Sequence, residues 1–403
     1  MDFLKLIKSK TSKRQSNSLI RILKLIWLRE GVSRKDIADI LEFNKSSVSR
    51  NVDQLMEFGF VRDGKSHNGS AGRNPIALKF CDDLFYTVGI CFSNLNSKVV
   101  LLNANAEVIK EFPLYGKLIG DKNSKCGYVA DVINNMLAEM NVPIAKLAGI
   151  GIALPGIVDP ATGEVLSSSE FEGEASFDLG AFFEERFKCP CALINVSHLS
   201  AVIERRWGKA KGMDDFVCVD SGYGAGIFMS GQLCRGHQYH AGEFGYMQIS
   251  SDGPLQRDGR PGTLGMIAPS YKITDTIEEI IAQGGGTKVK KFLSPGSSKV
   301  FIPMVAKAIE DGDKLCAQLM ADMFEHIGTA LVNVAYMFNP KAIFLGAWTA
   351  RCPDCSIDIV RRKMGHYGVS NWKLETTVES AERGPEDYAR GAGLLPLEKL
   401  FDF

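Results

Sequence analysis

The sequence predicts an α/β protein: a two-lobed body preceded by a small α+β winged helix-turn-helix domain. Three observations predict it. Residues 33–62 read as two short helices joined by a tight turn and followed by a strand. From about Leu84 strands alternate with helices, and the theme then recurs. The charge is divided between the two regions: residues 1–80 hold 16 Lys+Arg against 8 Asp+Glu, leaving 31 against 39 in the remainder of a neutral chain.

The head is read first. Ser18–Glu30 is amphipathic, with Leu19, Ile22, Leu23, Leu25, Ile26 and Trp27 apolar, and can back the helix pair. Ser33 is an N-cap with Asp36 completing a capping-box-like start. Ile37, Ala38, Ile40 and Leu41 supply the apolar stripe. Glu42-Phe43-Asn44 makes the turn, and Asn44 caps the second helix, whose Val48, Val52, Leu55 and Met56 face inward. Lys45, Ser46, Ser47, Ser49 and Arg50 remain on its outer face near the N-terminus, where a recognition helix offers donors to base edges and phosphates. After Gly59, Phe60-Val61-Arg62 reads as a strand, GKSHNGSAGRNP as a turn, and Ile76–Phe80 as the returning strand. The wing tip lies near Lys65–Arg73, and Arg73, among small residues, suits a minor groove. An ordinary helical hairpin is the competing reading; helix faces, turn and wing agree in opposing it.

A basic head on an acidic body is the asymmetry expected when one domain alone meets phosphates. Hydrophobic content of 45% and charged content of 23% are ordinary for globular chains. No apolar run approaches the roughly 20 residues of a membrane span. The start, MDFLKLIKSKTSKR, lacks a long apolar core and a cleavage site, so it reads as a basic arm (Lys5–Arg14) and the protein as cytoplasmic. The 10 cysteines show no disulfide framework. Cys189-Pro-Cys191 beside the strand CALINV reads as core filling, and Cys352-Pro-Asp-Cys355 as a loop with two incidental thiols.

In the body Tyr86–Phe92, Lys98–Asn103 and Glu107–Pro113 read as successive strands, Tyr128–Met140 as a helix and Leu147–Ala153 as a buried strand. The second round gives strands Phe216–Asp220 and Ala225–Ser230 and a return strand near Tyr246–Ile249. Helices follow around Tyr271–Ala282, Val300–Glu310 and Asp322–Phe338, then strand Ala342–Leu345, with Gly284–Ser298 a loop. The boundaries are a head at 1–80 and a body at 81–403. The first lobe takes about 84–195 plus a C-terminal helix at about 385–403, and the second about 196–384.

The segments GIGIALPGIVDP (149–160), INVSHLSAVIERRWG (194–208), VDSGYGAGIFMSGQL (219–233), HAGEFGYMQIS (240–250), FNPKAIFLGAW (338–348) and YARGAGLLPL (388–397) resemble one family. It is the ROK group of sugar kinases and transcriptional repressors (NagC, Mlc and XylR types). The resemblance spans essentially the whole chain. It implies an actin-like, duplicated ribonuclease-H-type fold, a dimer or tetramer, and a sugar site in the interlobe cleft.

Departures from that family pattern decide the expected function. The segment that carries the kinase base reads Asn195-Val196-Ser197-His198, and Val196 accepts no proton. The first phosphate loop is replaced by Cys91-Phe92-Ser93-Asn94, without acid or glycines. The second, Ser221-Gly222-Tyr223-Gly224-Ala225-Gly226, keeps glycines that also suit a hairpin. At the family's zinc positions stand Tyr246, Gln256, Asp258 and Thr263, a poor donor set, so no metal or other cofactor is expected. Of the implied sugar contacts Asn195 and Glu243 survive; with His198 and Tyr246 they form the candidate effector set. The expectation is a DNA-binding regulator, a repressor of carbohydrate-related genes without kinase activity, with an operator duplex as partner. For the cleft two readings stand side by side: a sugar or sugar-derivative effector site, and a purely structural cleft in a regulator that answers to a protein partner or to nothing. A sugar kinase carrying a DNA-binding domain is the alternative that Val196 opposes. A winged helix that packs on protein is a third reading, opposed by the basic head.

Overall fold

The computed structural model describes residues 7–29, 31–66, 76–93, 96–114, 116–171, 176–294, 296–347, 349, 352–366, 368–369, 372–373 and 375–401. Contacts divide the chain into two units, residues 1–194 with 389–403, and residues 195–388.

Unit 1 begins with the head. Helix α1 (Lys13–Leu28) buries Leu19, Ile22, Leu23, Leu25, Ile26 and Trp27. Helix α2 (Arg34–Leu41) starts at a reciprocal capping box: the Ser33 hydroxyl accepts from the Asp36 N–H, and the Asp36 carboxylate accepts from the Ser33 N–H at 2.9 Å. Glu42, at φ 54°, ends it in a left-handed turn. Asn44 then caps α3 (Lys45–Glu57), its carboxamide oxygen accepting from the Ser46 N–H at 2.9 Å. Val48, Val52 and Leu55 are buried as the spacing predicts. Ile40 departs from its predicted role: it is 40% exposed, because the eight-residue α2 commits only Ile37 and Ala38 fully to the core. Strands β1 (Val61–Ser66) and β2 (Ile76–Phe80) form the antiparallel wing. Ser33 bridges Ala77, and the Leu78 N–H donates to the Val32 carbonyl at 2.8 Å, so the wing is tied to the start of α2.

Within unit 1 the head is closed onto the body by side chains that imitate a ladder. The Asn105 carboxamide accepts from the Phe80 N–H (3.0 Å), donates to the Phe80 carbonyl (2.9 Å) and also donates to Asp82 (2.7 Å). Asp82 receives Arg62 of β1 through both carboxylate oxygens at 2.9 and 2.8 Å. Phe80 packs edge-on against Phe85, ring centroids 5.8 Å apart.

The five-stranded sheet of unit 1 runs β10-β6-β3-β4-β5. Its strands are β3 (Tyr86–Cys91), β4 (Lys98–Asn103), β5 (Val108–Pro113), β6 (Leu147–Leu154) and β10 (Cys191–Asn195). The first three form an antiparallel meander, and β6 joins β3 in parallel. Helices α4 (Lys122–Glu139) and α5 (Leu179–Phe187) supply core residues Val129, Ile133, Phe183 and Phe187. A small sheet of β7 (Ile157–Asp159), β8 (Glu164–Ser167) and β9 (Phe177–Asp178) lies between them in sequence.

Unit 2 repeats the topology. Helix α6 (Val196–Trp207) is followed by β11 (Phe216–Val219), β12 (Ala225–Met229) and β13 (Gln232–Leu233) as a meander. Strands β14 (Ala342–Leu345) and β15 (Thr377–Ser380) extend it in parallel. The order β13-β12-β11-β14-β15 mirrors β5-β4-β3-β6-β10, which is the duplication. Helices α7 (Leu264–Ile267), α8 (Ser270–Ala282), α9 (Ile302–Glu310), α10 (Lys314–Phe338) and α11 (Asp354–Gly365) carry the remaining core. The return strand expected near Tyr246–Ile249 is instead a 3-10 turn, Phe244–Tyr246, with one bridge, Gln248 to Thr263; β13 is the third strand. Helix α10 begins at Lys314, eight residues before the expected Asp322, because Asp313 caps it through the Cys316 N–H. Glu204 of α6 is fully buried, and its carboxylate accepts from the N–H groups of Lys209, Glu382 and Arg383 at 2.8–3.2 Å. Cys189, Cys191 and Cys352 are buried, and burial pushes the Cys189 and Cys352 thiols up to about 12, consistent with inert core sulfur.

Helices α12 (Tyr388–Ala392) and α13 (Leu395–Phe401) return the chain to unit 1. Gly89 of β3 and Gly151 of β6 are register partners and form a trough without side chains. A Cβ on Gly89 would sit 1.8 Å from the Ala389 carbonyl oxygen, and one on Gly151 1.8 Å from that of Ala392. The obstacle in each case is backbone, which no rotamer change relieves. Gly151→Ala is therefore expected to destabilise the full chain by about 3 kcal/mol or more, lowering its melting temperature by roughly 6 °C or more in a thermal melt. An unchanged melt would mean that α12 does not seat in the trough.

Candidate nucleic-acid interface and second-lobe residues

The N-terminal face of α3 is available in the way a recognition helix requires. Lys45, Ser46 and Arg50 are exposed and Ser47 is half-buried. Lys45 and Arg50 form no ion pair among the described residues. The Ser46 hydroxyl donates to Asn44 at 2.8 Å, so it supports the cap. Ser49 is engaged within the head: its hydroxyl accepts from Arg34 at 3.0 Å and reaches Asp53 at 3.5 Å. Arg34 and Asp53 escaped sequence reading, since neither carries a motif and their 19-residue separation gives no helical spacing. Arg73 lies outside the described residues, as does the wing tip beyond Ser66. Gln15 of α1 and Gln54 of α3 join at 2.7 Å, and the Arg21 guanidinium lies 4.8 Å from the Phe43 ring, so both neighbours of α3 are pinned.

The effector candidates all belong to unit 2, and local bonds connect them. The Asn195 carboxamide caps α6, accepting from the N–H groups of Ser197 (2.6 Å) and His198 (3.4 Å). His198 is 6% exposed, and its Nε2–H donates to the Ala241 carbonyl at 2.8 Å. Burial holds its imidazole below the ordinary value, so the ring is neutral and serves as a brace. What it braces is the turn that presents Glu243 and Tyr246. Glu243 keeps more than a third of its surface open, yet desolvation still raises its carboxyl above the usual range, with His240 pulling the other way. Tyr246 is 46% exposed. Glu243 and Tyr246 are thus the members of the set that face outward, while Asn195 and His198 organise the backbone. Val196, at the position implied for the kinase base, is 8% exposed and opens α6.

In the two loops at the implied phosphate positions, packing and local hydrogen bonds engage Phe92, Ser93, Tyr223, Gly224 and Gly226. Phe92 is fully buried, with its ring 5.5 Å from that of Phe171, and the Ser97 hydroxyl accepts from the Ser93 N–H at 3.0 Å to close the turn. Asn94 lies outside the described residues. Two of the three glycines of 221–226 answer to packing, and Gly222 has open space around it. A Cβ on Gly224 would lie 2.1 Å from Ser197 Oγ, and one on Gly226 2.4 Å from Ala201 Cβ, both on α6. Between them and Gly222, Tyr223 takes a positive φ of 58°, is 6% exposed and donates its hydroxyl to the Ala268 carbonyl.

The loop 254–265 carries an organic cation where the family resemblance implies a metal. Arg260 pairs with Asp258 at 2.8 and 2.6 Å and lies 5.8 Å from the Tyr246 ring. The pairing holds the Asp258 carboxyl below its usual range. Thr263 is fully buried, and its hydroxyl has no hydrogen-bond partner among the described residues. A neutral amide, a hydroxyl, a phenol and an already paired carboxylate do not fit zinc, which takes thiolate and imidazole. Among the described residues no group of three or more His, Cys, Asp or Glu stands close enough to hold a metal ion.

Comparison with known proteins places this architecture. Residues 85–399 match the ROK family. The xylose repressor of Caldicellulosiruptor bescii is 26% identical over 337 residues, 83% of each chain. The DNA-binding transcriptional dual regulator NagC of Escherichia coli is 24% identical over 318 residues, 78% of this chain and 76% of its own. A β-glucoside kinase of Listeria innocua is 27% identical over 280 residues, 67% of this chain and 88% of its own. A solved ROK family transcriptional regulator, a homolog of the E. coli MLC protein, superposes with a TM-score of 0.77 at 20% identity, over 96% of this chain and 97% of that one. With a winged helix-turn-helix ahead of two lobes of one duplicated topology, the chain belongs to the ROK family.

Proposed function

We propose that the protein is a DNA-binding transcriptional repressor of carbohydrate-related genes, acting in the cytoplasm as a homodimer or a higher oligomer. The observation that carries this reading is the exposed N-terminal face of α3, where Lys45, Ser47 and Arg50 project from a helix fixed by its cap and its neighbours. The basic balance of the head and the names of the full-length relatives support it. One winged helix per chain reads a two-fold operator only as a pair, which is the reason for proposing an oligomer. No helix among the described residues is long and apolar enough to cross a membrane.

For the body we propose effector binding without phosphoryl transfer. The side chain at position 196 is buried valine, the first loop has Cys91, Ser93 and Asn94 in place of an acid and glycines, and Gly224 and Gly226 of the second pack against α6. Glu243 and Tyr246 remain as outward-facing acceptor and aromatic edge, suited to a sugar-like hydroxyl cluster. The loop 254–265 is proposed to be stable without zinc, on the strength of its Arg260–Asp258 pair.

Titration of the full chain onto a labelled duplex of its own upstream region should give binding that beats a scrambled duplex and falls steeply with salt. Arg50→Ala should weaken it by roughly 1–3 kcal/mol if Arg50 reads a guanine; unchanged affinity would remove Arg50 from the interface. Calorimetric titration across sugars and sugar phosphates should give heat with at least one, abolished by Glu243→Ala; silence from all would leave the body without a sugar effector. Metal analysis of purified protein should find no stoichiometric zinc, and a coupled assay with sugars and ATP no turnover. Either signal would overturn the corresponding reading.

A further inference from the structure

An acidic residue near a surface that meets phosphates is a liability; α3 carries Asp53 and, at its far end, Glu57, and Asp53 is the one nearest the N-terminal donors. Asp53 lies one turn after Ser49 and three residues after Arg50, with 54% of its side chain exposed. Its charge is met from a different helix. Arg34, the first residue of α2, places Nη1 2.6 Å from Asp53 Oδ1. The same nitrogen reaches the Ser49 hydroxyl at 3.0 Å and the Ser49 carbonyl at 3.4 Å, while Nη2 lies 3.6 Å from the Met56 sulfur. One planar guanidinium thus touches three residues of α3, at positions 49, 53 and 56, along a single helical stripe. A lysine, as a point charge without the fork, could not serve all of these acceptors together.

We propose that Arg34 is a positioning residue for DNA reading: it cancels the Asp53 charge, turns Ser49 inward and holds α3 against α2, leaving Lys45, Ser47 and Arg50 to meet the duplex. This rests on the DNA-binding reading above and deepens it. Surface ion pairs contribute little to stability, so the consequence falls on binding. Without Arg34, an unpaired carboxylate stands among the donors that approach phosphate, and like charge opposes association. The Ser49 hydroxyl also loses the partner that fixes its direction.

The test is a set of full-length variants, Arg34→Ala, Arg34→Lys, Asp53→Asn and Arg34→Ala/Asp53→Asn, each titrated onto the upstream duplex and a scrambled one. Melting curves matched to the parent protein establish that each variant is folded. Arg34→Ala should lose at least tenfold in affinity for the upstream duplex, and Arg34→Lys should recover only part of it. Asp53→Asn should bind within threefold of the parent. The decisive result is the double variant: removing the stranded carboxylate should restore binding to within about threefold of Asp53→Asn alone. A double variant as weak as Arg34→Ala would overturn the proposal, because Arg34 would then be contacting DNA itself. A parent protein that prefers its upstream duplex alongside an unaffected Arg34→Ala would overturn it while sparing the DNA-binding reading. A parent protein with no preference would overturn both.

Discussion

The placement of the head depends on how the backbone of Phe80 is satisfied. Phe80 ends the second wing strand, where a buried N–H and carbonyl need partners or carry a desolvation cost of a few kcal/mol. The Asn105 carboxamide, from the turn between β4 and β5, supplies both at once and reaches on to Asp82. Asp82 in turn fixes Arg62 of the first wing strand. On the other side of the same turn, Arg390 of α12 donates to the Ala106 carbonyl at 2.9 Å. The wing, the meander of the first sheet and the helix that returns the chain to unit 1 therefore converge on four consecutive residues, 104–107. A short link between domains is often a tether; here it is a bonded seam.

The two functions within the family separate on chemistry that is visible side chain by side chain. A kinase needs a proton acceptor beside the sugar and two open phosphate loops. This chain places a buried valine at the first position, Cys91, Ser93 and Asn94 in place of the acid and glycines of the first loop, and a buried tyrosine inside the second. What remains is the scaffolding around those parts. Asn195 still starts α6, His198 still ties α6 to the segment that carries Glu243, and the hairpin still lies against the helix. Such a body keeps the helix cap, the brace and the hairpin packing while the residue at the implied base position is an aliphatic side chain.

Local signals made the head legible. The capping box at Ser33 and Asp36, the Asn44 cap and the inward Val48, Val52 and Leu55 were all readable because each depends on residues within four positions. The same locality explains where reading stopped. Arg34 pairs with Asp53 across two helices, and Asn105 pairs with Phe80 across 25 positions, so neither has a periodicity to reveal it. Glu204 is fully buried, and two of its three backbone N–H partners, those of Glu382 and Arg383, lie nearly 180 residues away in sequence, where no local pattern announces them. In the candidate effector set the residue types were visible but their duties were not: Asn195 and His198 spend their polar atoms on the fold, and Glu243 and Tyr246 alone point outward. The return strand near Tyr246–Ile249 failed for a related reason, since an apolar run of that length is equally compatible with a turn held by tertiary bridges.

The contact between the hairpin and α6 has a consequence for inheritance. Ser197 and Ala201 leave no room for a side chain at 224 or 226, so drift cannot erase those glycines while the helix stays where it is. Whatever chemistry the loop serves, these two glycines are held in place by a helix, so their presence records packing; the positions free to register a change of use are others, here Cys91, Ser93, Asn94 and Val196.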